Sequence, residues 1–585
     1  MPGQIIPINN LSEIGLIEDT PSVSLPPNAF SDCQNVRFRD GAVRKMRANS
    51  DFLTNIGLEG IRLVAHWPAP SGNKFVVIDT ISTNTTISVW REDGSQIVQY
   101  ETTAGEEDSN NWNYTLFNGG FHIILNSTVG TPWYLTDAGD TPTGSSPAQR
   151  LPGWASYATQ ELSSDFVYDG DASNFTITDP RFVAGANIRF TITPRNTANP
   201  LRTTVLTVNS DSTGFVGDGT VEGLGTSTIS GNTITFTPAA SAGGSQVQIS
   251  IVGDLVSNVT AGVIRAYGNL LVAGNLVENS PSGTRTLTGI IRTSDVAGPG
   301  NIPMNWNPFA IGVNTADEFI LASTGTIQDM AELQGVLYVY TDSSIHAIQQ
   351  TQSPIVPFQI TPVTESYGCD NTDGVLEVDG KHIVFGSDDV YVFAGHPGSI
   401  QSIADGRVRD FFREATDIRI LRFNRWDELW FWTPSGQETY IWNYRNNTWT
   451  KRSQTSGTVA GTSTQSDLFF GINDGTVYRV DYSSDYLNAY VERRRLTLTP
   501  EFDTETLASM ALLIDGSDNL TINAVGSNAP GLDVDPTTSP PKDFTIADEY
   551  KQDIRVHGRF LNYRMSHNHT SNICLLYTSP SPRDS

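Results

Sequence analysis

The sequence predicts a mainly β protein: an irregular β-propeller with an inserted β-sandwich domain and a small C-terminal β region. Three observations support this prediction: many turn residues, short apolar strands that follow polar turns, and a regular spacing of the later strands. The 585 residues include 51 Gly and 31 Pro, which favour short strands joined by turns over long helices. A chain of this length is expected to form several domains.

A recurring unit consists of a polar turn followed by a short apolar strand. Its copies begin at Asn118, Tyr267, Gln334, Asp379, Trp426 and Ser466. The last four begin about 40 to 47 residues apart, close to the length of a four-stranded propeller blade. Residues 51–153 and 262–495 are therefore predicted to form the first and second parts of the propeller.

The blade spacing breaks between Trp154 and Ala261. Short alternating strands separated by Gly, Asn and Ser turns occur there, at 174–177, 188–192, 204–208, 233–236 and 247–251. This pattern is typical of a β-sandwich. We expect residues 154–261 to be a domain inserted in a propeller loop, because the entropic cost of loop closure rises only slowly with loop length. Residues 496–573 are predicted to form the C-terminal β region.

Helix is expected in two short segments only. Residues 328–333 are candidates for one or two weak turns. Residues 407–414 are the other candidate, because Val408, Phe411 and Phe412 fall on one face at helical spacing.

The N-terminal segment, residues 1–50, carries the most specific stretch of the chain. Residues 25–45 read L-P-P-N-A-F-S-D-C-Q-N-V-R-F-R-D-G-A-V-R-K. Within it, residues 35–39 alternate as a half-buried strand, and Asp40-Gly41 predicts a hairpin turn. The stretch resembles the N-terminal signature of the tail nozzle proteins, the tail tubular protein B family of short-tailed bacteriophages.

Three further stretches resemble the same family in the same order. Residues 289–295, followed by Trp306-Asn307-Pro308, resemble its arginine–serine–aspartate loop and the segment after it. Residues 378–391 lead into 402–409 (S-I-A-D-G-R-V-R), and this match is the closest of all. Residues 555–564 resemble the closing strand of the family.

The resemblance implies a structural component of a short phage tail. In that family six copies form the nozzle ring below the tail adaptor ring, retain packaged DNA and conduct it during ejection. The implied partners are the adaptor ring, tail fibres or spikes, and genomic DNA that passes without specific binding. The implied location is the virion tail, assembled in the host cytoplasm. The alternative hypotheses are a tail-associated propeller that binds or cleaves host surface carbohydrate, and a secreted adhesin.

The formal net charge of −27 argues against a protein that grips nucleic acid, since phosphate binding needs clustered Lys and Arg. Ordinary solubility explains this charge as well as a DNA-repelling channel wall does. A basic cluster stands apart in the N-terminal segment: Arg37, Arg39, Arg44, Lys45 and Arg47. We interpret it as a solvated strand face, with an acidic neighbouring subunit as the alternative.

No catalytic, cofactor-binding or metal-binding residue is predicted, and the chain is expected not to be an enzyme. A glycosidase needs two carboxylates at a defined separation, and no repeated S-x-D-x-G-x-x-W box accompanies any such pair. Residues 473–478 resemble that box only superficially, since a hairpin turn explains them. His567 and His569 lack a nameable third ligand, which favours a surface pair over a metal site.

A group of aromatic residues suggests either a sugar platform or blade core. Its members are Trp426, Trp430, Phe431, Trp432, Tyr440, Trp442, Tyr444 and Trp449. Many of them occupy alternating strand positions, which favours blade core.

The last residues, 574–585, resemble a translated transposon-type sequencing adaptor. An unselected sequence is not expected to complement this core, so we predict that the segment packs against nothing. No apolar run approaches the roughly 20 residues of a membrane span, so membrane insertion is not expected.

Overall fold

The computed structural model describes residues 8, 10–54, 60–81, 84–101, 111–137, 148–154, 161–168, 175–178, 188–195, 204–208, 215–217, 225–230, 233–238, 246–254, 258–280, 283–308, 315–322, 325–351, 358–497, 504–516, 518–529, 534–545 and 551–577. Over these residues the chain is almost entirely β-structure. The described part contains one α-helix, α1 (Arg409–Glu414), which confirms the helix expected within 407–414.

The N-terminal segment contributes six short strands: β1 (Gly15–Leu16), β2 (Ala29–Phe30), β3 (Asp32–Gln34), β4 (Val36–Arg39), β5 (Ala42–Lys45) and β6 (Ser50–Leu53). The next eight are β7 (Ile61–Ala69), β8 (Gly72–Ile81), β9 (Asn84–Arg91), β10 (Gln96–Glu101), β11 (Trp112–Phe117), β12 (His122–Ser127), β13 (Trp133–Thr136) and β14 (Ala148–Arg150). The predicted insertion holds β15 (Glu161–Tyr168), β16 (Phe175–Thr178), β17 (Ile188–Arg195), β18 (Thr204–Val208), β19 (Phe215–Gly217), β20 (Gly225–Ser230), β21 (Thr233–Pro238) and β22 (Gln246–Asp254).

After the insertion come β23 (Asn258–Tyr267), β24 (Leu270–Ser280), β25 (Gly283–Thr293), β26 (Asp317–Ile320), β27 (Ile327–Leu333), β28 (Val336–Thr341), β29 (Ile345–Gln350), β30 (Phe358–Thr364), β31 (Val375–Val378), β32 (Lys381–Phe385), β33 (Val390–Phe393) and β34 (Gln401–Ser402). They are followed by β35 (Arg419–Phe423), β36 (Glu428–Trp432), β37 (Glu438–Asn443), β38 (Thr448–Ser453), β39 (Thr458–Ser463), β40 (Leu468–Ile472) and β41 (Val477–Arg479). The C-terminal strands are β42 (Ala489–Thr497), β43 (Glu505–Ala511), β44 (Leu513–Gly516), β45 (Leu520–Ser527), β46 (Lys542–Phe544), β47 (Lys551–Gly558), β48 (Phe560–His567) and β49 (Ile573–Tyr577).

Four-stranded sheets of the propeller-blade type follow one another along the chain. They are β7–β10, β11–β14, β23–β26, β27–β30, β31–β34, β35–β38, and β39–β41 completed by β6. The recurring apolar unit found in the sequence is the second strand of six of them: β12, β24, β28, β32, β36 and β40. The prediction of a mainly β fold of propeller type is confirmed.

The predicted turns of this unit take the expected backbone conformation. Both central residues have positive φ in the two-residue turns Asp40-Gly41 (53° and 78°) and Asp379-Gly380 (50° and 77°). Such pairs form the type I′ turns whose twist matches that of the flanking strands. The turn chemistry therefore fixes where each apolar strand begins.

The chain forms two compact units. The first comprises residues 1–68, 72–110 and 331–585. Within it, aromatic contacts connect several of the elements: Phe412 of α1 meets Phe431 of β36, and Trp432 meets Phe470 of β40. Phe469 in turn meets Phe75 of β8.

The C-terminal strands of the first unit do not form a self-contained region. β42, β45, β46 and β48 form one sheet with β3, and β44 and β49 form another with β4 and β5. The N-terminal segment thus completes both sheets.

The second unit comprises residues 69–71 and 111–330. Its two blade-type sheets share a core that includes Phe117, Ile124, Ile264 and Leu271. The strands of the insertion form two antiparallel sheets, β15-β22-β17-β18-β19 and β16-β21-β20. The ends of the insertion lie together, because Trp154 Nε1 donates to the carbonyl oxygen of Val259 at 2.8 Å.

Two local predictions are wrong. The weak helix expected at 328–333 is strand β27, because Ile327, Asp329 and Met330 are buried side chains of a sheet. The segment from Cys574 was expected to pack against nothing, yet its first residues belong to β49. The consecutive apolar residues of β49, I-C-L-L-Y at 573–577, form a strand that pairs with both β5 and β44.

Candidate functional site: the buried contacts of the N-terminal segment

The strands of the N-terminal segment pair with strands of several sheets in the first unit. β1 and β2 extend the sheet β35–β38, β3 pairs with β42, β5 pairs with β49, and β6 pairs with β41. The N-terminal segment, which contains the first stretch that resembles the nozzle family, therefore holds together sheets that are far apart in sequence. This interlocking region is the candidate functional site.

Arg37 lies at the centre of the first charged cluster. Its Nε and Nη2 donate to the two carboxylate oxygens of Glu428 at 2.6 and 3.2 Å, and Nη1 donates to Asp481 Oδ2 at 2.8 Å. All three side chains are buried. Trp430 Nε1 also donates to Glu428 at 3.0 Å. Burial raises the pKa of Glu428 above its ordinary value, and the charge of Arg37 opposes that rise.

A second cluster surrounds Lys451 of β38. Its Nζ lies 2.8 Å from Glu18 Oε1 and 2.7 Å from Asp32 Oδ1. Tyr440 donates to the other oxygen of Glu18 at 2.8 Å, and Tyr490 to Asp32 at 2.9 Å. Burial alone would lower the pKa of Lys451, but these two carboxylates raise it. The cluster ties Glu18, which follows β1, and Asp32, the first residue of β3, to one lysine.

Lys45 binds the turn that precedes β49. Its Nζ donates to His567 Nδ1 at 2.7 Å and to the carbonyl oxygens of His569 and Ser571 at 2.6 and 3.3 Å. Burial lowers the pKa of Lys45 to about 8. Burial, with the charge of Lys45, lowers the pKa of His567 to about 4. The lysine is therefore the cation that organises this turn.

These contacts correct two predictions. The basic cluster is not a solvated strand face, because Arg37 and Lys45 are buried, although Arg44 and Arg47 are exposed. The prediction that His567 and His569 form a surface pair is wrong for His567, which is only 2% exposed, whereas His569 is exposed. In both cases long-range partners convert an exposed-looking polar residue into an interior one.

The motif at 289–295 occupies an interior position in the second unit. Arg292 is 1% exposed and lies between Glu278, at 2.6 Å, and Glu318. Burial raises the pKa of Glu278 to about 7, against the attraction of Arg285. Asp295 Oδ1 accepts from the backbone N–H groups of Met304 and Asn305 at 3.0 and 3.1 Å.

The segment that follows is anchored by Trp306, which is fully buried. Its ring centroid lies 4.6 Å from that of Trp154 in an edge-to-face arrangement. Asp295 therefore holds the loop of the motif in place, and Trp306 packs against Trp154, where the insertion begins.

The motif at 402–409 is held by the N-terminal segment. Arg407 donates to the carbonyl oxygen of Ile14 at 2.8 Å, and its own carbonyl accepts from the backbone N–H groups of Glu18 and Asp19. The Asp19 carboxylate accepts from the backbone N–H groups of Arg409 and Asp410. An acidic group there compensates the unpaired N–H groups at the start of α1.

The aromatic group is blade core, as predicted. Trp430, Phe431, Trp432, Tyr440, Trp442 and Trp449 are buried, and Trp426 and Tyr444 are half-buried. Trp426 packs over Arg37 at 4.7 Å from the guanidinium carbon to the ring centroid. Trp426 and Trp430 contact the charged cluster, and the buried members of the group do not form an open sugar-binding surface.

Sequence reasoning missed Glu428 and Asp481. The available signal was a charged residue at the start of an otherwise apolar strand, E-L-W-F-W at 428–432.

The described residues contain no group of three His, Cys, Asp or Glu side chains placed to hold a metal ion. Among those same residues, no helix has the length and apolarity to cross a bilayer.

Asp79 of β8 is another buried acid, and neither of its carboxylate oxygens accepts a well-formed hydrogen bond. Burial raises its pKa to about 6, with Thr86 opposing. The folded protein therefore binds this proton more tightly than the unfolded chain. The stability that the protonated acid contributes is complete below about pH 4, the ordinary aspartate value, and is lost as the pH rises through 6.

Asp79→Asn is accordingly expected to raise the unfolding free energy at pH 7.5 by about 1–3 kcal/mol. The gain should shrink as the pH falls below 5, where the native carboxyl is already neutral. Urea unfolding at pH 7.5 and below pH 5 measures this gain in unfolding free energy. Asp93→Asn, on an exposed turn of the same sheet, is the control and should give no gain. A D79N variant with equal or lower stability at pH 7.5 would contradict this assignment.

Comparisons with known proteins identify no family. No family model matches the chain, and no curated protein matches it. Among solved structures, BamB from Moraxella catarrhalis is similar at 10% identity, over 69% of this chain and 94% of that chain, with a TM-score of 0.32. Apo AztD from Citrobacter koseri is similar at 10% identity, over 85% of this chain and 98% of that chain, with a TM-score of 0.31.

Proposed function

We propose that this chain is a structural component of a short phage tail, the nozzle ring below the adaptor. Six copies would form the ring, retain packaged DNA and conduct it during ejection. The partners would be the adaptor ring and tail fibres or spikes, and the site of assembly the host cytoplasm. The chain would act as a wall and not as an enzyme.

One observation supports this proposal most: three of the stretches that resemble the nozzle family carry interior contacts that hold strands and loops together. Arg37, Arg292 and Arg407 each make buried or half-buried framework bonds. The side chains of an open catalytic or sugar-binding surface would need access to solvent and substrate. Buried contacts of the kind found here suit a rigid wall.

The net charge of −27 suits passage of DNA without adhesion. Carboxylates repel the phosphate backbone over about a Debye length, roughly 8 Å at physiological salt. Lys and Arg would instead bind it through counterion release. The channel surface that faces DNA must therefore lack a patch of exposed Lys and Arg side chains.

The carbohydrate hypothesis has less support. Its strongest sequence feature was the aromatic group, which is mostly buried. A sugar-binding surface presents aromatic faces to solvent, and Trp430, Trp432 and Trp449 do not.

We expect the purified chain to bind duplex DNA no more tightly than a neutral protein of similar size, and to release no sugar from host surface glycan. Fluorescence anisotropy across a salt series measures the first, and reducing-sugar release measures the second. Salt-sensitive DNA binding at submicromolar concentration, or turnover of glycan, would overturn the proposal.

A further inference from the structure

The C-terminal part of the first unit contains a slot for one strand. β49 fills this slot and runs antiparallel to both β5 and β44. Leu575 is opposite Val43 on one side and Ile514 on the other. Without β49, both neighbouring strands would expose an unpaired row of backbone N–H and C=O groups.

The chain is directed into the slot by Lys45. Its ammonium group holds the carbonyl oxygens of His569 and Ser571, immediately before β49 begins. Lys45 is the last residue of β5, so the strand that forms one wall also fixes the entry turn. The N-terminal segment therefore builds the slot and positions what enters it.

The present occupant is paired through its backbone on both edges. Its last four residues, from Cys574, lie in the stretch that resembles a translated adaptor. Ile573, Cys574 and Leu575 are nevertheless buried. Backbone pairing accepts many extended segments, whereas side-chain pockets discriminate among them.

A partly open cavity of about 40 Å³ lies beside the occupant. Its walls include Val43, Ile514, Leu520 and Met565, and Leu575 faces it from the occupant. Protein interiors are close-packed, with few voids larger than a water molecule. The cavity shows that the side chain at 575 is smaller than the space available.

We propose that the slot between β5 and β44 is a strand-acceptor site. Its ligand is a short extended peptide segment with a large apolar residue at the position of Leu575, supplied in cis by the chain that follows Asn572. The site holds this strand whether or not the protein is a tail component.

Filling the cavity is the first test. Leu575→Phe and Val43→Ile are each expected to raise the melting temperature of the full chain by about 1–4 °C. Val384→Ile adds the same methylene to a closed blade core and should leave the melting temperature unchanged or lower it. If L575F and V43I are as destabilising as V384I, the slot is already full and the proposal fails.

Thiol labelling of the unmodified chain is the second test, and it requires no variant. All three cysteines are buried, so Cys574 should react with a maleimide as slowly as Cys33 and Cys369 at every protein concentration. Rapid reaction of Cys574 would show an empty slot and overturn the proposal. Protection that is lost on dilution would show a strand from a second copy and overturn supply in cis.

The full-length Leu575→Pro variant is the third test, because proline cannot donate to the sheet. The variant should expose the thiol of Cys574 and bind a fluorescent peptide of sequence ICLLY. The peptide ICPLY should not bind the variant, and the unmodified chain should not bind the ICLLY peptide. Circular dichroism confirms that the variant is folded. A folded L575P chain that keeps Cys574 protected, or that ignores the peptide, would contradict a strand-acceptor site.

Discussion

Replacing Arg37 with alanine is expected to lower the free energy of unfolding by about 3–5 kcal/mol, the usual loss when one partner of a buried ion pair is removed. The substitution leaves Glu428 and Asp481 in the interior without the guanidinium that pairs with both. Arg452 stays 3.7 Å from Asp481 but donates no hydrogen bond to it. Urea unfolding followed by tryptophan fluorescence measures the loss.

Arg39→Ala is the matched control, two residues further along the same strand. Arg39 is partly exposed, and its ion pair with Asp40 spans 3.5 Å at the surface. Such pairs contribute about 0–1 kcal/mol, so this variant should remain close to the unmodified protein. Similar losses in both variants would show that the Arg37 cluster has no special role.

Replacing Trp449 with alanine is expected to lower the unfolding free energy by about 3–5 kcal/mol, the range for large aromatic residues in a core. Trp449 is fully buried, with ring centroids 5.4 Å from Phe431 and 5.7 Å from Phe412. Its Nε1 donates to the carbonyl oxygen of Ile403 at 3.0 Å. The variant therefore gains a cavity and an unpaired carbonyl group.

Tyr482→Ala is the control for this prediction, because Tyr482 is 44% exposed. Surface substitutions of this kind usually change stability by less than about 0.5 kcal/mol. A W449A protein of unchanged stability would mean that the aromatic group is not core. Loss of glycan binding in that variant would then favour the carbohydrate hypothesis.

The sequence predicted the blades because their signal is local. The turns at Asn118-Gly119 and Asp379-Gly380 and the apolar strands after them are short-range features, and each fixes one strand. The strand at 327–333 was mistaken for helix because six residues cannot distinguish a weak helical pattern from a buried strand. The C-terminal sheets were not foreseen as joint structures because β3 and β5 come from the other end of the chain.

The candidate site was predicted only in part, for the same reason. The N-terminal stretch was singled out, but the burial of Arg37 depends on Glu428 and Asp481, which lie hundreds of residues away. Lys45 and His567 likewise look like surface residues until the strands that carry them are brought together. Local alternation assigns a face to each strand, and pairing across the chain decides whether that face is buried.

The proposal that the chain forms the wall of a phage tail can be tested by ring assembly. The purified chain would be mixed with its cognate tail adaptor protein and examined by negative-stain electron microscopy and native mass spectrometry. We expect six copies of this chain in a ring on the adaptor, with an open central channel. A chain that stays monomeric beside a well-formed adaptor ring, under conditions where both are folded, would contradict it.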